Sequence, residues 1–183
     1  MRTRIVFASA MFVAGLLVGG SLIAAALSPP SPPQPGPDAQ KLGYFVGEWT
    51  SQAEIHPGPM GQGGAATGSS TCHWIEGNFF VSCRDESTTP MGRMAGLGVL
   101  GWNAAKKVYT WSGFNNLGQA ETATGTRTGS TWTFVGQNDV GGKTMKTRYT
   151  VVETSPTSYT FQFEASTDGA TWTTVIDGKV TKK

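Results

Sequence analysis

The chain has 183 residues, enough for one ordinary domain and too few for two comfortable ones. Only 14% of them are charged, against roughly 25% in an average soluble protein, while glycine (25) and threonine (24) abound, which argues against a helical bundle, a coiled coil or an acidic disordered chain. Arg2 and Arg4 supply the whole net charge of +2, leaving 12 basic against 12 acidic residues; a neutral remainder without a basic run predicts no nucleic-acid partner.

In chain order, Met1-Arg2-Thr3-Arg4 is followed by an uncharged stretch from Ile5 to Leu27, the layout of an export signal. Ala24-Ala25-Ala26 offers small residues for cleavage before Leu27. The 23-residue stretch is also long enough to span a bilayer, so cleavage and anchoring in the inner membrane through residues 5–27 both stand. Either way the rest of the chain is expected outside the cytoplasm, in the periplasm or an equivalent compartment, because the two arginines hold the N-terminus inside. Residues 28–37 carry six prolines in ten positions and predict an extended polyproline II linker, about 30 Å long at about 3.1 Å per residue.

Residues 38–183 read as one domain. Asp38 is placed to cap a short helix through Leu42 that ends near Gly43 or Gly47. Beyond it, period-2 alternation predicts about ten strands, at 48–55, 66–75, 79–85, 94–102, 107–114, 120–128, 131–137, 144–153, 158–166 and 171–177. Trp49, Ala53 and Ile55 share a face in the first, and Tyr109 and Trp111 share one in the fifth. In the eighth, Met145, Thr147, Tyr149 and Val151 oppose Lys146, Arg148 and Thr150; in the ninth, Tyr159, Phe161 and Phe163 oppose Thr160, Gln162 and Glu164. Gly77-Asn78, Gly129-Ser130, Gly141-Gly142, Asp168-Gly169 and Asp177-Gly178 are short hairpin signals. Short links between consecutive strands predict an all-β, antiparallel up-and-down meander, which loses its edges by closing into a barrel.

With Gly77-Asn78 as a two-residue loop, paired residues sum to 155, and Cys72 falls opposite Cys83. In an oxidising compartment that pair predicts a disulfide, the alternative being two buried thiols. This loop makes the two cysteines a hydrogen-bonded pair, the wider of the two antiparallel spacings.

Motifs for catalysis are missing. There is no His-Glu-x-x-His and no Gly-x-Ser-x-Gly, and Gln137–Thr144 departs from a P-loop at its first position. His73 with His56 or Asp85 is the one metal grouping to weigh; a histidine hydrogen-bonded in the barrel is the simpler reading, and no metal is expected. The aromatics point elsewhere. A ten-strand barrel is wider than side chains fill easily, and larger barrels commonly enclose ligand cavities. Trp49, His73, Trp74, Tyr109, Trp111, Arg148, Tyr149 and Phe161 are the candidate ligand-binding residues.

Gly47-Glu48-Trp49-Thr50, a Gly-x-Trp opening the first strand after a short helix, resembles the start of the calycin superfamily of lipocalins, fatty-acid-binding proteins and nitrobindins. The run Gly98–Asn103, then Tyr109-Thr110, Met145–Thr150 and Ser166–Thr173 are similar to a bacterial exported family of unknown function within it. The resemblance covers residues 40–183 and implies a calycin-like barrel with a ligand in its cup. It also implies that Arg148 packs against Trp49 at the closed end. Nitrobindin-like relatives hold haem through a histidine near the C-terminus; no histidine follows His73, so no cofactor is expected.

The expected function is therefore a non-enzymatic exported barrel that binds a small hydrophobic or amphipathic molecule, with Arg148 or His73 fixing its polar end. The alternatives are a filled barrel acting as an envelope interaction module, or a cavity isomerase or hydrolase using His73, Glu164 or Arg148.

Overall fold

The computed structural model describes residues 33–58, 61–140 and 142–183. The expected leader, and the linker as far as Pro32, lie outside the described residues. The described chain opens with a short helix, α1 (Pro37–Gln40), continued by a 3₁₀ helix over Lys41–Phe45. Asp38 does not cap α1: Gly36 stands at the N-cap, with Pro37 in the first turn where its missing N–H is no loss. Asp38 instead accepts a hydrogen bond from Lys41 Nζ at 2.6 Å. The helical path also runs past Gly43, because Leu42 and Phe45 bury their side chains against the strands beyond it.

Ten strands follow: β1 (Gly47–Ile55), β2 (Gly64–Trp74), β3 (Phe80–Thr89), β4 (Gly92–Asn103), β5 (Val108–Asn115), β6 (Ala120–Thr128), β7 (Thr131–Val140), β8 (Lys143–Ser155), β9 (Ser158–Ser166) and β10 (Thr173–Lys182). Each pairs antiparallel with the next, and β1 also pairs with β10, from Trp49 opposite Lys182 to Ile55 opposite Ile176. The meander thus closes into a barrel, as the alternation and short links predicted. One hairpin signal misled: Asp177-Gly178 lies inside β10, which runs on to Lys182. Gly178 pairs there with Ala53, and the Asp177 carboxylate meets the His56 ring. Closing the barrel requires those residues as strand, and that long-range pairing overrides the local turn preference.

Cys72 and Cys83 are cross-strand partners and form a disulfide with Cα atoms 4.1 Å apart. The register is the predicted one, but the pairing class is not. Ile75 N–H donates to Phe80 C=O, so the hairpin closes one pair before Gly77-Asn78. Hydrogen-bonded pairs alternate with non-hydrogen-bonded ones, which leaves the cysteines at a closer, non-hydrogen-bonded site. A disulfide is the mark of an oxidising compartment, so this bond points away from the cytoplasm. Among the described residues no helix is long and apolar enough to cross a membrane.

The principal core occupies the end of the barrel where β1 begins and β10 finishes. Leu42 and Phe45 from the 3₁₀ helix cover it, over Val81, Leu100, Tyr109, Trp132 and Val151. The rings pack edge-on: Phe45 to Trp132 at 5.1 Å, Tyr109 to Trp132 at 4.7 Å, Trp49 to Tyr159 at 5.3 Å. Their polar atoms are satisfied. Trp49 Nε1 donates to Phe45 C=O at 2.8 Å, Tyr109 hydroxyl to Asp38 C=O at 3.1 Å, and Trp132 Nε1 to Glu153, which Arg127 also holds. Gly47 has φ +131°, a conformation that side-chain-bearing residues rarely adopt. A Cβ there would also strike the Lys182 side chain, which crosses Gly47 to set its ammonium 4.8 Å from the Trp49 ring. The glycine of Gly-x-Trp is therefore needed for the closure of β1 against β10. A smaller cluster of Val140, Ala165 and Val175 sits toward the opposite end.

Candidate functional site

Between the two clusters the barrel is not filled. A cavity of about 320 Å³ is walled by Trp49, Leu100, Trp111, Phe134, Tyr149 and Phe163, with the Cys72–Cys83 disulfide in its wall. Its size follows from strand number, since ten strands enclose more width than inward side chains span. Toward the rim a second hollow, about 420 Å³, runs along the ends of β4 and β5 and shares Asp85, Trp111, Glu121 and Asn138 with the first. These four residues form the neck where cup and mouth meet.

The neck is set by alternation and by one close approach. Gly98 of β4 is an inward position, and a Cβ there would stand 1.8 Å from Trp111 Cη2. The indole of Trp111 therefore lies flat over bare backbone instead of filling the lumen. Its Nε1 donates to Glu121 at 3.0 Å. Ser70 Oγ donates to Asp85 at 2.5 Å, and Asn138 Nδ2 to Thr147 Oγ1 at 2.9 Å. Asn138 Oδ1 is buried and has no hydrogen-bond partner among the described residues.

Of the eight predicted ligand residues, the structure brings Trp49, Trp111 and Tyr149 to the cavity. Trp74, Tyr109 and Phe161 face inward but serve as packing: Trp74 lies over Gly43, Tyr109 is part of the closed end, and Phe161 packs on Tyr149 at 5.6 Å. His73 and Arg148 are corrections. Cys72 faces the lumen, so its neighbour His73 points outward and is exposed. Arg148, between the inward Thr147 and Tyr149, also lies outside. It binds Glu164 through two hydrogen bonds of 2.7 and 2.9 Å and stacks at 4.3 Å on Trp172. It does stack on an aromatic, but the cation over Trp49 is Lys182. Glu164, held in that outer pair, is likewise no cavity group. The grouping of His73 with Asp85 fails too, since they lie on opposite faces; among the described residues no cluster of three His, Cys, Asp or Glu could hold a metal.

Sequence reasoning missed Ser70, Asp85, Glu121, Asn138 and Thr147. A signal for them exists. Stepping by two from Cys72, Cys83, Trp111 and Phe134 along their strands, or across the ladder, places polar residues at inward positions, which a purely apolar core would not carry.

Electrostatically the interior is one-sided. Burial pushes the Asp85 carboxyl above its usual range, partly offset by the bond from Ser70. Tyr149 is pushed up by burial first, then by Tyr159 and Asp85, and Tyr159 by burial and then by Asp85, so both phenols stay protonated. No lysine, arginine or histidine lines either hollow.

Among solved structures the barrel is similar to Rv2717c from M. tuberculosis, with a TM-score of 0.59 at 10% identity over 82% of this chain and 99% of that one. It is also similar to a de novo designed fluorescence-activating β-barrel, with a TM-score of 0.43 at 14% identity over 76% of this chain and 94% of the design. At 10% identity the likeness to Rv2717c is one of fold. No curated protein matches the chain. The sequence-family comparison matches residues 34–182, the whole barrel with the short helix before it, and the chain belongs to the family described as "Protein of unknown function (DUF1579)".

Proposed function

We propose that this protein is an exported, non-enzymatic barrel of calycin type that binds a small, largely apolar molecule in its lumen. The observation that carries the reading is the cavity of about 320 Å³ walled by Trp49, Trp111, Phe134, Tyr149 and Phe163. That volume lies at the lower end of the 300–1,000 Å³ or so of small-molecule sites, and the lining is of their kind, apolar walls with a few convergent polar groups. Export is supported by the arginine-flanked apolar stretch at residues 1–27 and by the disulfide.

Native mass spectrometry of the protein purified from an oxidising compartment, without added ligand, tests this reading. The expected spectrum carries mass in excess of the chain that disappears on denaturation. A bare mass, together with no binding of a neutral apolar dye such as Nile red, would overturn it in favour of an interaction module that works through its outer surface.

A further inference from the structure

Apart from the phenols of Tyr149 and Tyr159 deeper in the cup, the polar groups at the neck are acceptors or donors already engaged. Ser70 spends its proton on Asp85, and Trp111 spends its indole proton on Glu121. A carboxylate offers about four lone-pair sites, so both carboxylates keep acceptor capacity toward the neck. Asn138 has used an amide proton on Thr147 and is left with a buried, unpartnered Oδ1. A buried acceptor without a donor is costly, and the two carboxylates are half-buried where cup and mouth meet. The pairing cation does not come from the walls, because no basic side chain lines the cup or the mouth.

Resting on the reading that the cavity holds a ligand, we infer that this ligand is a protonated amine on an apolar, preferably aromatic body, its ammonium seated at the neck between Asp85, Glu121 and Asn138 Oδ1. An ammonium brings three donors and a charge, which meets the deficit on both counts. Trp111, which lines both hollows, adds the attraction of an aromatic ring for a cation. A carboxylate ligand meets the opposite environment. Its available donors are the phenols of Tyr149 and Tyr159, and it would lie beside two further acidic groups. The polar end is thus held by acidic groups at the neck, where the sequence had suggested Arg148 or His73.

The test compares three ligands of one skeleton with the full-length protein: 3-phenylpropylamine, 3-phenylpropanol and 3-phenylpropanoate, by calorimetry and tryptophan fluorescence at neutral pH, with Nile red as a neutral control. The amine is expected to bind at least about tenfold more tightly than the alcohol, and the carboxylate most weakly. Asp85→Asn and Glu121→Gln, made separately, should each lower the amine-to-alcohol affinity ratio by about tenfold, the alcohol serving as the internal reference within each variant. Equal affinities, or a preference for the carboxylate, overturn the inference. If Nile red binds and the amine does not, the inference fails and the apolar-carrier reading stands. If nothing binds, both fail.

Discussion

Gly98→Ala probes the feature that keeps the lumen open. The new Cβ would lie 1.8 Å from Trp111 Cη2 and 2.5 Å from Cζ2 and Cζ3. Carbon atoms in contact stand about 3.5–4.0 Å apart, so the indole must retreat by about 2 Å. The cavity gives it somewhere to go, which holds the overpacking cost to about 1–2 kcal/mol. Moving the ring breaks the Trp111–Glu121 bond, worth about 1.5–3 kcal/mol with a charged acceptor. The lower entropy of an unfolded alanine returns about 0.5–1 kcal/mol. The net expectation is a destabilisation of about 2–4 kcal/mol, measured by urea unfolding, with a shifted tryptophan emission spectrum and Nile red affinity at least about tenfold weaker because the indole now occupies the cup. Stability within about 0.5 kcal/mol of the parent, with an unchanged spectrum and unchanged dye binding, would refute the account of Gly98 as the seat of Trp111.

Replacing both cysteines by serine should cost about 3 kcal/mol in chemical unfolding, the chain-entropy value for a loop of this length, because the separation of Cys72 and Cys83 is only 11 residues; no loss would mean that the hairpin is already ordered in the unfolded chain. Arg148→Ala should lower stability by about 1–2 kcal/mol through loss of the paired bonds to Glu164 and the stack on Trp172, and leave Nile red affinity unchanged; weakened dye binding would return Arg148 to the cavity. Asp168 accepts bonds from Ala170 N–H, Thr171 N–H and Ser166 Oγ, which lower its pKa to about 2. Its contribution is therefore present above the ordinary carboxylate range and lost as pH falls toward 2, so the stability gap between parent and Asp168→Ala should be constant at neutral pH and shrink on acidification; a gap that does not change with pH would show that the charge is irrelevant to the β9–β10 turn.

The barrel was legible because its signals are local. Alternation in Tyr109–Trp111, Trp132–Phe134 and Thr147–Tyr149–Val151 gives strand and face together, and Gly129-Ser130 places a turn where Thr128 pairs with Thr131. The same alternation had already set Arg148 and His73 opposite the lumen, and it carried Asp85, Glu121 and Asn138 inward. What it could not supply was depth along the strand. Whether an inward aromatic lines a cavity or plugs an end depends on what covers it: Trp74 lies against Gly43 and Tyr109 bonds to Asp38, whereas Trp111 lines the cavity.

The sequence by itself determined an all-β meander and its hairpin register at the cysteines. The tertiary structure decided that Asp177-Gly178 is strand, that Lys182 and not Arg148 stands over Trp49, and that an acceptor-rich neck opens into an aromatic cup. The first group depends on neighbours within a dozen residues. The second depends on β1 meeting β10 across more than 120 positions of chain and on ten strands closing at a width that their side chains leave partly empty.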